Sequence, residues 1–417
     1  MKILVLNCGS SSVKFALIET GEAEERVLAR GEVEPVGTGE STVRSEVPGA
    51  GQRITEARAQ DHNEAIRLAL EALTDPVSGV IRAPEEIQAV GQRIVHGGER
   101  FHEPAVMDDE VVHAIRDCVA LAPLHNPHNL SGYFASLRWL PHAAQVAVFD
   151  TAFHRTLPPH AYAYALPQGL CARYRVRRYG FHGTSHRWMA ERFAEIHGRP
   201  TSAFRLITCH LGSGCSMCAI AGGRSVDTSM GMTPLEGLVM GTRAGDVDAA
   251  AVLHIMQWEQ LSVERMDALL NKGSGLYGIS GLSNDMRTLL EHAARGDQRA
   301  ALAIDVFCYR IRKYIGAYYA VLNGADAVIF TGGIGENAPH IRARACDSLE
   351  ALGIRLDPAR NEAAVGVEME ISAPEAATRV WVIPTNEELL IARETARALR
   401  AGRRGPPSDQ EAEEVKL

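Results

Sequence analysis

Apolar residues in this chain come in short runs that break on glycine. Lys2–Leu6 (KILVL) reads as a strand, Asn7–Ser12 (NCGSSS) as a small polar turn and Val13–Ile18 (VKFALI) as a returning strand, together a hairpin. The design recurs at Arg205–Gly214 (RLITCHLGSG). There apolar residues lead into His210, then Gly212, Ser213 and Gly214, before CSMCAIAGG runs back out. A third case is Ala327–Phe330 (AVIF), which leads into Thr331–Asn337 (TGGIGEN). Glycine has no Cβ to hold an anion away from backbone N–H groups. Three strand-then-glycine turns therefore suggest three walls of one phosphate-rich ligand, a nucleotide.

The intervening pattern switches between the two periods. Residues 21–60 alternate and predict more antiparallel strand and loop. Asp61–Leu73 has helical spacing with Asp61 as N-cap, and Ile87–Val95 (IQAVGQRIV) is a strand that ends at HGGE. Asp108–Cys118 predicts a helix, LAPLHNPHN (121–129) a proline-broken loop, Ser131–Leu140 a helix and Ala144–Phe149 a strand that ends on Asp150. Ala301–Val321 has helical spacing before AVIF, and Glu387–Leu399 is a closing helix. The polar, proline-broken Gly402–Leu417 reads as disordered. Strand hairpins followed by helices in both halves imply two related α/β lobes with a cleft between them.

Composition narrows the class. The 417 residues are 46% hydrophobic and 23% charged, which describes a globular chain with large cores. A net charge of −8 argues against nucleic acid or an acidic membrane as partner. No apolar run approaches the ~18 residues that span a bilayer. The eight cysteines are dispersed, no leader precedes the first strand, and a reducing cytoplasm is the expected home. Only Lys2, Lys14, Lys272, Lys313 and Lys416 are lysines, so a lysine beside a glycine–serine turn stands out.

No GxxxxGK[ST] occurs, which excludes a Walker loop, and no GxGxxG follows the first strand. Lys14 and Ser12 share one face of a strand, suited to phosphate oxygens or to an exposed edge. Arg93 lies among apolar neighbours; its fork suits a substrate carboxylate, a phosphate, or an ion pair with Glu99 or Asp150. Asp150 at a strand end can orient a basic group, approach a metal's water shell or cap the next segment. His182 and His186 in FHGTSH have the spacing of a zinc pair but lack its glutamate, and hydrogen bonding to a phosphoryl group suits His182 better. Arg243 lies on a turn between Gly241 and Gly245, placed to reach a transferring phosphoryl or simply to face solvent. Cys215 and Cys218 read as buried strand residues. Glu387 and Glu388 serve either a Mg²⁺ or a helix N-terminus.

Taken together, LVLNCGSSSVKF, VGQRIVHGG, LAPLHNPHNL, VFDTAFH, YGFHGTSH, HLGSG, DTSMGMTPLEGLVMGTRAGDVD, FTGGIGENAP and VIPTNEE resemble the acetokinase family, in the family's order from residue 4 to 388. The resemblance implies an α/β, two-lobed actin-like ATPase fold, a duplicated βββαβαβα core with a nucleotide cleft between the lobes. It implies one lobe of residues 1–152 plus 388–417 and a nucleotide-binding lobe of 153–387. Asn7 and Glu387 match the family's Mg²⁺ positions, with Mn²⁺ as a substitute. Ser10, Ser12, Lys14, His210, Leu211, Gly212, Ser213, Gly214, Asp285, Met286, Arg287, Gly333, Ile334, Gly335, Glu336 and Asn337 match its ATP contacts. Arg93 matches the substrate-carboxylate arginine, and Val95, Leu124, Phe181 and Pro234 its small apolar acyl pocket. Asp150 matches the catalytic acid, and His182 and Arg243 the stabilisers of the transferring phosphoryl.

The implied reaction is reversible, direct in-line phosphoryl transfer from ATP to acetate, giving acetyl phosphate and ADP, in a homodimer. Two positions depart from the pattern: Ser213 stands for the usual asparagine and Gln92 for the usual histidine. Neither removes a charged group, so an active enzyme is expected. A propionate or butyrate kinase of the same family, discriminated at Val95, and a non-kinase actin-like ATPase are the rival readings.

Overall fold

The computed structural model describes residues 1–21, 25–123 and 125–402. The chain divides into two compact units, Met1–Ala152 with Asn386–Leu417, and Phe153–Thr385. The division falls just before Asn386. Asn386 and Glu387, expected with the second lobe, thus belong with the first.

The first unit holds an eight-stranded sheet. Its strands are β1 (Lys2–Cys8), β2 (Val13–Thr20), β3 (Glu25–Glu34), β4 (Thr38–Val47), β5 (Gly51–Ala59), β6 (Ala89–Ile94), β7 (Ala105–Val106) and β8 (Ala144–Phe149), in the order β5-β4-β3-β2-β1-β6-β8-β7. β1, β2 and β3 pair antiparallel, while β6 and β8 run parallel to β1. The central strands are apolar on both faces, and each face is covered. Leu4, Leu6 and Phe15 pack with Ile66, Leu70 and Ala135 of the helices His62–Thr74 and Asn126–Trp139. Ile3, Val5, Val146 and Val148 pack with Ile391 and Ala392 of the helix Glu387–Gly402. That helix presses onto β6 at Gly91, where a Cβ would lie 2.5 Å from the Thr395 hydroxyl. The close approach carries Glu387 toward Arg93.

The second unit holds β9 (Arg205–Leu211), β10 (Cys215–Ala221), β11 (Arg224–Thr228), β12 (Ala327–Thr331), β13 (Met369–Glu370) and β14 (Arg379–Val382), in the order β11-β10-β9-β12-β14-β13. Three antiparallel strands again lead into two parallel ones, so the core of each unit repeats the other. The helix Gly183–Ile196 covers one face through Met189 and Phe193 against Ile220 and Ile329.

Asp61 caps its helix as the sequence predicts, and Asp108, expected as the first helical residue, is instead the N-cap of the helix Asp109–Asp117; each accepts from the backbone N–H three residues on. The loop expected over 121–129 is shorter than predicted. The helix begins at Asn126, because Pro127 sits in the first turn, where a missing N–H leaves no bond unmade. Residues 403–417 of the expected tail lie outside the described residues.

Candidate active site

In the first unit, β6 and β8 end side by side and bring Arg93 against Asp150. Arg93 Nη2 donates to Asp150 Oδ2 at 2.8 Å, and Nη1 to Asn7 Oδ1 at 3.4 Å. Its Nε lies 3.8 Å from Glu387 Oε2. Four predicted residues from three strands and the closing helix thus meet at one guanidinium. Asp150 is 1% exposed and Arg93 is largely buried. Burial alone would lower the Arg93 pKa; Asp150, Glu387 and Glu388 outweigh it and hold the group above its ordinary value. The ion pair with Asp150 and the neighbouring carboxylates leave Arg93 charged and fixed in direction.

Other expectations for this unit divide. Lys14 faces Asn7 across the β1–β2 register, is half exposed, and its Nζ lies 3.9 Å from Glu32. Ser12 closes the hairpin turn with its backbone, accepting from Gly9 N at 2.9 Å, and Ser10 is exposed. Val95 is buried. Leu124 lies outside the described residues. Gln92 points away from Arg93 and donates to Ser136 and Gln145, so this departure from the family pattern sits in a buried polar cluster behind the strand.

In the second unit, parallel β9 and β12 carry their glycine turns at the same ends, with Thr331 beside His210. Gly332 (φ +77°) lets the second turn approach the first; a Cβ there would lie 2.7 Å from the Leu211 carbonyl. Within HLGSG, Gly212 N donates to Gly214 O, and Ser213 O accepts from Gly241 N, which ties this turn to the Arg243 loop. A Cβ at Gly214 would lie 3.6 Å from His182 Nε2 and 3.7 Å from Arg243 Nη1. Two predicted cationic or hydrogen-bonding side chains therefore converge on one point of the turn.

Arg243 differs from Arg93 in its partners. Its Nη1 donates to the Pro234 carbonyl at 3.4 Å and approaches Met240 Sδ, with no carboxylate ion pair among the described residues. Desolvation lowers its pKa, partly offset by Cys215. An arginine held by neutral groups keeps its charge for an incoming anion. Phe181 is buried, and its carbonyl accepts from His154. Arg178 instead clamps the carbonyls of Thr228, Ser229 and Met230 and pairs with Glu236, while Arg177 stacks on Tyr162.

Asp285 is the N-cap of the helix Met286–Ala294, and Arg287 folds back on it at 2.6 Å; Met286 is buried beneath. Gly333–Asn337 lies in the short helix Gly332–Asn337. There Glu336 Oε1 accepts from the backbone of Gly332 and Thr385, and Asn337 donates to Gly333 O. Ile334 and Gly335 complete this turn.

Sequence reasoning missed several supporting residues. Asn129 accepts from Val95 N and donates to Cys8 O, and Asn126 binds both backbone groups of His96. Arg342, wholly buried, donates to the carbonyls of Gly335, Glu336, Asn361 and Ala364. The asparagines lay in view within HNPHN; nothing near Arg342 marked it.

Paired sheets of this topology, ending in glycine turns, make the molecule an actin-like ATPase fold that handles a phosphoryl group. More narrowly, the chain belongs to the acetokinase family, whose profile matches residues 2–393. It is 52% identical over 400 residues to the acetate kinase of Acetivibrio thermocellus, covering 96% of this chain and 100% of that one. The crystal structure of Porphyromonas gingivalis acetate kinase superposes with a TM-score of 0.90 at 46% identity, over 95% of this chain and 99% of that one. A propionate kinase from Francisella tularensis gives 0.88 at 40% identity, over the same shares.

Proposed function

We infer that this chain is a phosphotransferase with a carboxyl acceptor, catalysing reversible phosphoryl transfer between ATP and acetate. The observation that carries the residue assignment is the convergence of His182 and Arg243 on Gly214, beside the two glycine turns. In-line attack by a carboxylate oxygen needs no nucleophilic side chain. It needs an acceptor held in direction and donors for the equatorial phosphoryl oxygens.

Arg93 supplies the first requirement: its fork receives the acetate carboxylate, and Asp150 orients it by their 2.8 Å bond. Of the expected acyl-pocket positions, Val95 is buried in the first unit and Phe181 in the second. His182 and Arg243 supply the second requirement, and in the same unit the turn His210–Gly214, Asp285–Arg287 and Gly333–Asn337 hold ATP.

The Asn7 amide oxygen and the Glu387 carboxylate are hard oxygen donors directed at one guanidinium, and no cluster of three or more carboxylate, histidine or cysteine ligands occurs among the described residues. These two oxygens would hold a Mg²⁺, a hard cation that takes oxygen donors. When bound, the ion neutralises charge on the β- and γ-phosphate oxygens.

A second copy of the chain is the proposed partner. The helix Ala249–Trp258 (AAAVLHIMQW) buries none of its residues, and Leu253, Trp258 and Val263 are 66%, 72% and 69% exposed. No helix among the described residues is long and apolar enough to cross a membrane; a cytoplasmic location and independence of nucleic acid are proposals from composition.

A coupled assay of ADP release tests the reading. Turnover should depend on added short carboxylates, with acetate above propionate and butyrate in kcat/KM; one methylene is worth ~1–3 kcal/mol of selectivity. Carboxylate-independent turnover would identify an ATPase instead. Arg93→Ala should raise the acetate KM by roughly 10²-fold, the loss of a charge-assisted pair of about 3 kcal/mol; an unchanged KM would remove Arg93 from the acceptor site.

A further inference from the structure

The helix Gly183–Ile196 begins from His182, whose backbone is left-handed at φ 56°. His182 Nδ1 lies 2.9 Å from Ser216 Oγ, and the same hydroxyl lies 2.8 Å from His186 Nε2. His186 Nδ1 lies 2.7 Å from Thr208 Oγ1, and Thr208 Oγ1 donates to the Cys218 carbonyl at 3.4 Å. Thr208, Ser216 and His186 are all fully buried. The network therefore has a direction that hydrogen counting can follow.

A carbonyl only accepts. With its one hydroxyl hydrogen on the Cys218 carbonyl, Thr208 accepts from His186, whose hydrogen is then on Nδ1. Desolvation, with the neighbouring His154, His210 and His182, drives the His186 pKa well below its ordinary value, so the ring is neutral and its Nε2 is bare. Ser216 gives its hydrogen to that nitrogen and can then only accept from His182.

We propose that the chain Cys218–Thr208–His186–Ser216 fixes a hydrogen on Nδ1 of His182, so that Nε2 donates to the phosphoryl oxygens only when the ring is an imidazolium. The inference rests on the reading of His182 as a phosphoryl donor. It makes Thr208, His186 and Ser216 positioning residues for the reaction. A neutral His182 presents a lone pair to the phosphoryl group, and a charged one presents N–H. Activity must then fall as pH rises and the imidazolium gives up its proton.

The groups around His182 set that balance. From β9, the His210 ring lies 4.4 Å away, centroid to centroid, with Nδ1 on Ser185. Arg243 reaches the same point of Gly214 from its loop, and His154 lies behind His186 at 5.6 Å. Arg243, and any of these rings when protonated, disfavour the charge; the phosphate oxygens of ATP favour it.

Profiles of kcat against pH for four proteins decide the matter. The unmodified enzyme should lose activity tenfold per pH unit on its basic limb. Thr208→Val removes the acceptor for His186 Nδ1–H, so the chain reverses: His186 donates through Nε2, Ser216 donates to His182 Nδ1, and neutral His182 carries its hydrogen on Nε2. The basic limb should then vanish or move up by more than one pH unit, with the acetate KM within twofold. Thr208→Ser should keep the limb. A Thr208→Val profile that matches the unmodified enzyme overturns the relay. His182→Gln separates the two layers: if it retains both kcat and the limb, His182 is not the phosphoryl donor. If it loses both while Thr208→Val keeps the limb, only the relay fails. Should Thr208→Val not fold, ¹⁵N shifts of the His182 ring in the unmodified enzyme, assigned by their loss in His182→Gln, give the answer. A hydrogen held on Nδ1 supports the relay, and a neutral Nε2–H ring overturns it.

Discussion

At Gly214 the difference between a fold requirement and a chemical one can be measured. A methyl group there would meet His182 Cε1 at 3.5 Å and Arg243 Nη1 at 3.7 Å, ordinary contact distances, and the backbone is not left-handed. Gly214→Ala should therefore fold with an unchanged Tm. It should lower kcat by roughly 10²-fold, the usual effect of losing one transition-state donor, because the methyl occupies the point on which both side chains converge. Equal losses in kcat and Tm would instead make Gly214 a structural residue. The same scale explains why Arg93 and Arg243 have different tasks. One is ringed by Asp150 and Glu387, which fixes its direction; the other rests on a carbonyl and a thioether.

The short helix Gly332–Asn337 shows how an element acquires precision that its own residues lack. Six residues cannot hold a helix by propensity, and three of them are glycine. Glu336 closes its start; Arg342 takes the Gly335 and Glu336 carbonyls at its end and ties them to the carbonyls of Asn361 and Ala364. Arg342 therefore charges a backbone scaffold, and burial pushes its pKa down to about 10. Arg342→Met takes the arginine donor from all four, and only Glu336 and Asn361 keep a backbone donor, from Gly366 N and Ala364 N. It should cost about 3 kcal/mol of stability, at 1–3 kcal/mol per orphaned group with partial relaxation. It should raise the ATP KM about tenfold while leaving the acetate KM within twofold; steady-state kinetics in both substrates reads the split. TGGIGEN was legible as a turn. Its anchor was not, because an isolated arginine in PHIRARAC carries no sign of what surrounds it.

For the whole molecule, buried histidines link stability to acid. Desolvation lowers the pKa of His96 to about 4 and that of His186 well below its ordinary value. Unfolded histidine titrates near 6.5, so below that pH the unfolded chain binds protons that the folded chain refuses. Stability should be full above pH 6.5 and fall as pH drops toward 4, with His96 contributing on the order of 3 kcal/mol. Denaturant unfolding at pH 7, 6, 5 and 4 checks the slope, which His96→Asn should reduce; a flat profile would contradict neutral burial. Assembly is tested at the apolar helix Ala249–Trp258. Trp258→Glu should turn a dimer into a monomer in sedimentation velocity at micromolar concentration, since a buried charge opposes apolar pairing. A monomeric unmodified protein would refute the proposed partner.

Strand-and-glycine pattern alone determined where the glycine turns fall and that the two halves repeat, because strand period and the missing glycine Cβ are local properties. The residues at Asn7, Arg93, Asp150, His182, Arg243 and Glu387 were legible through motifs. What those residues touch was decided in three dimensions. β6 and β8 lie side by side only in the folded sheet, and that adjacency joins Arg93 to Asp150. The hydrogen on His182 depends on Thr208 and Ser216, which in the sequence look like ordinary strand positions. A buried hydrogen-bond network is a sum of directions and distances between strands, and no one-dimensional period encodes it.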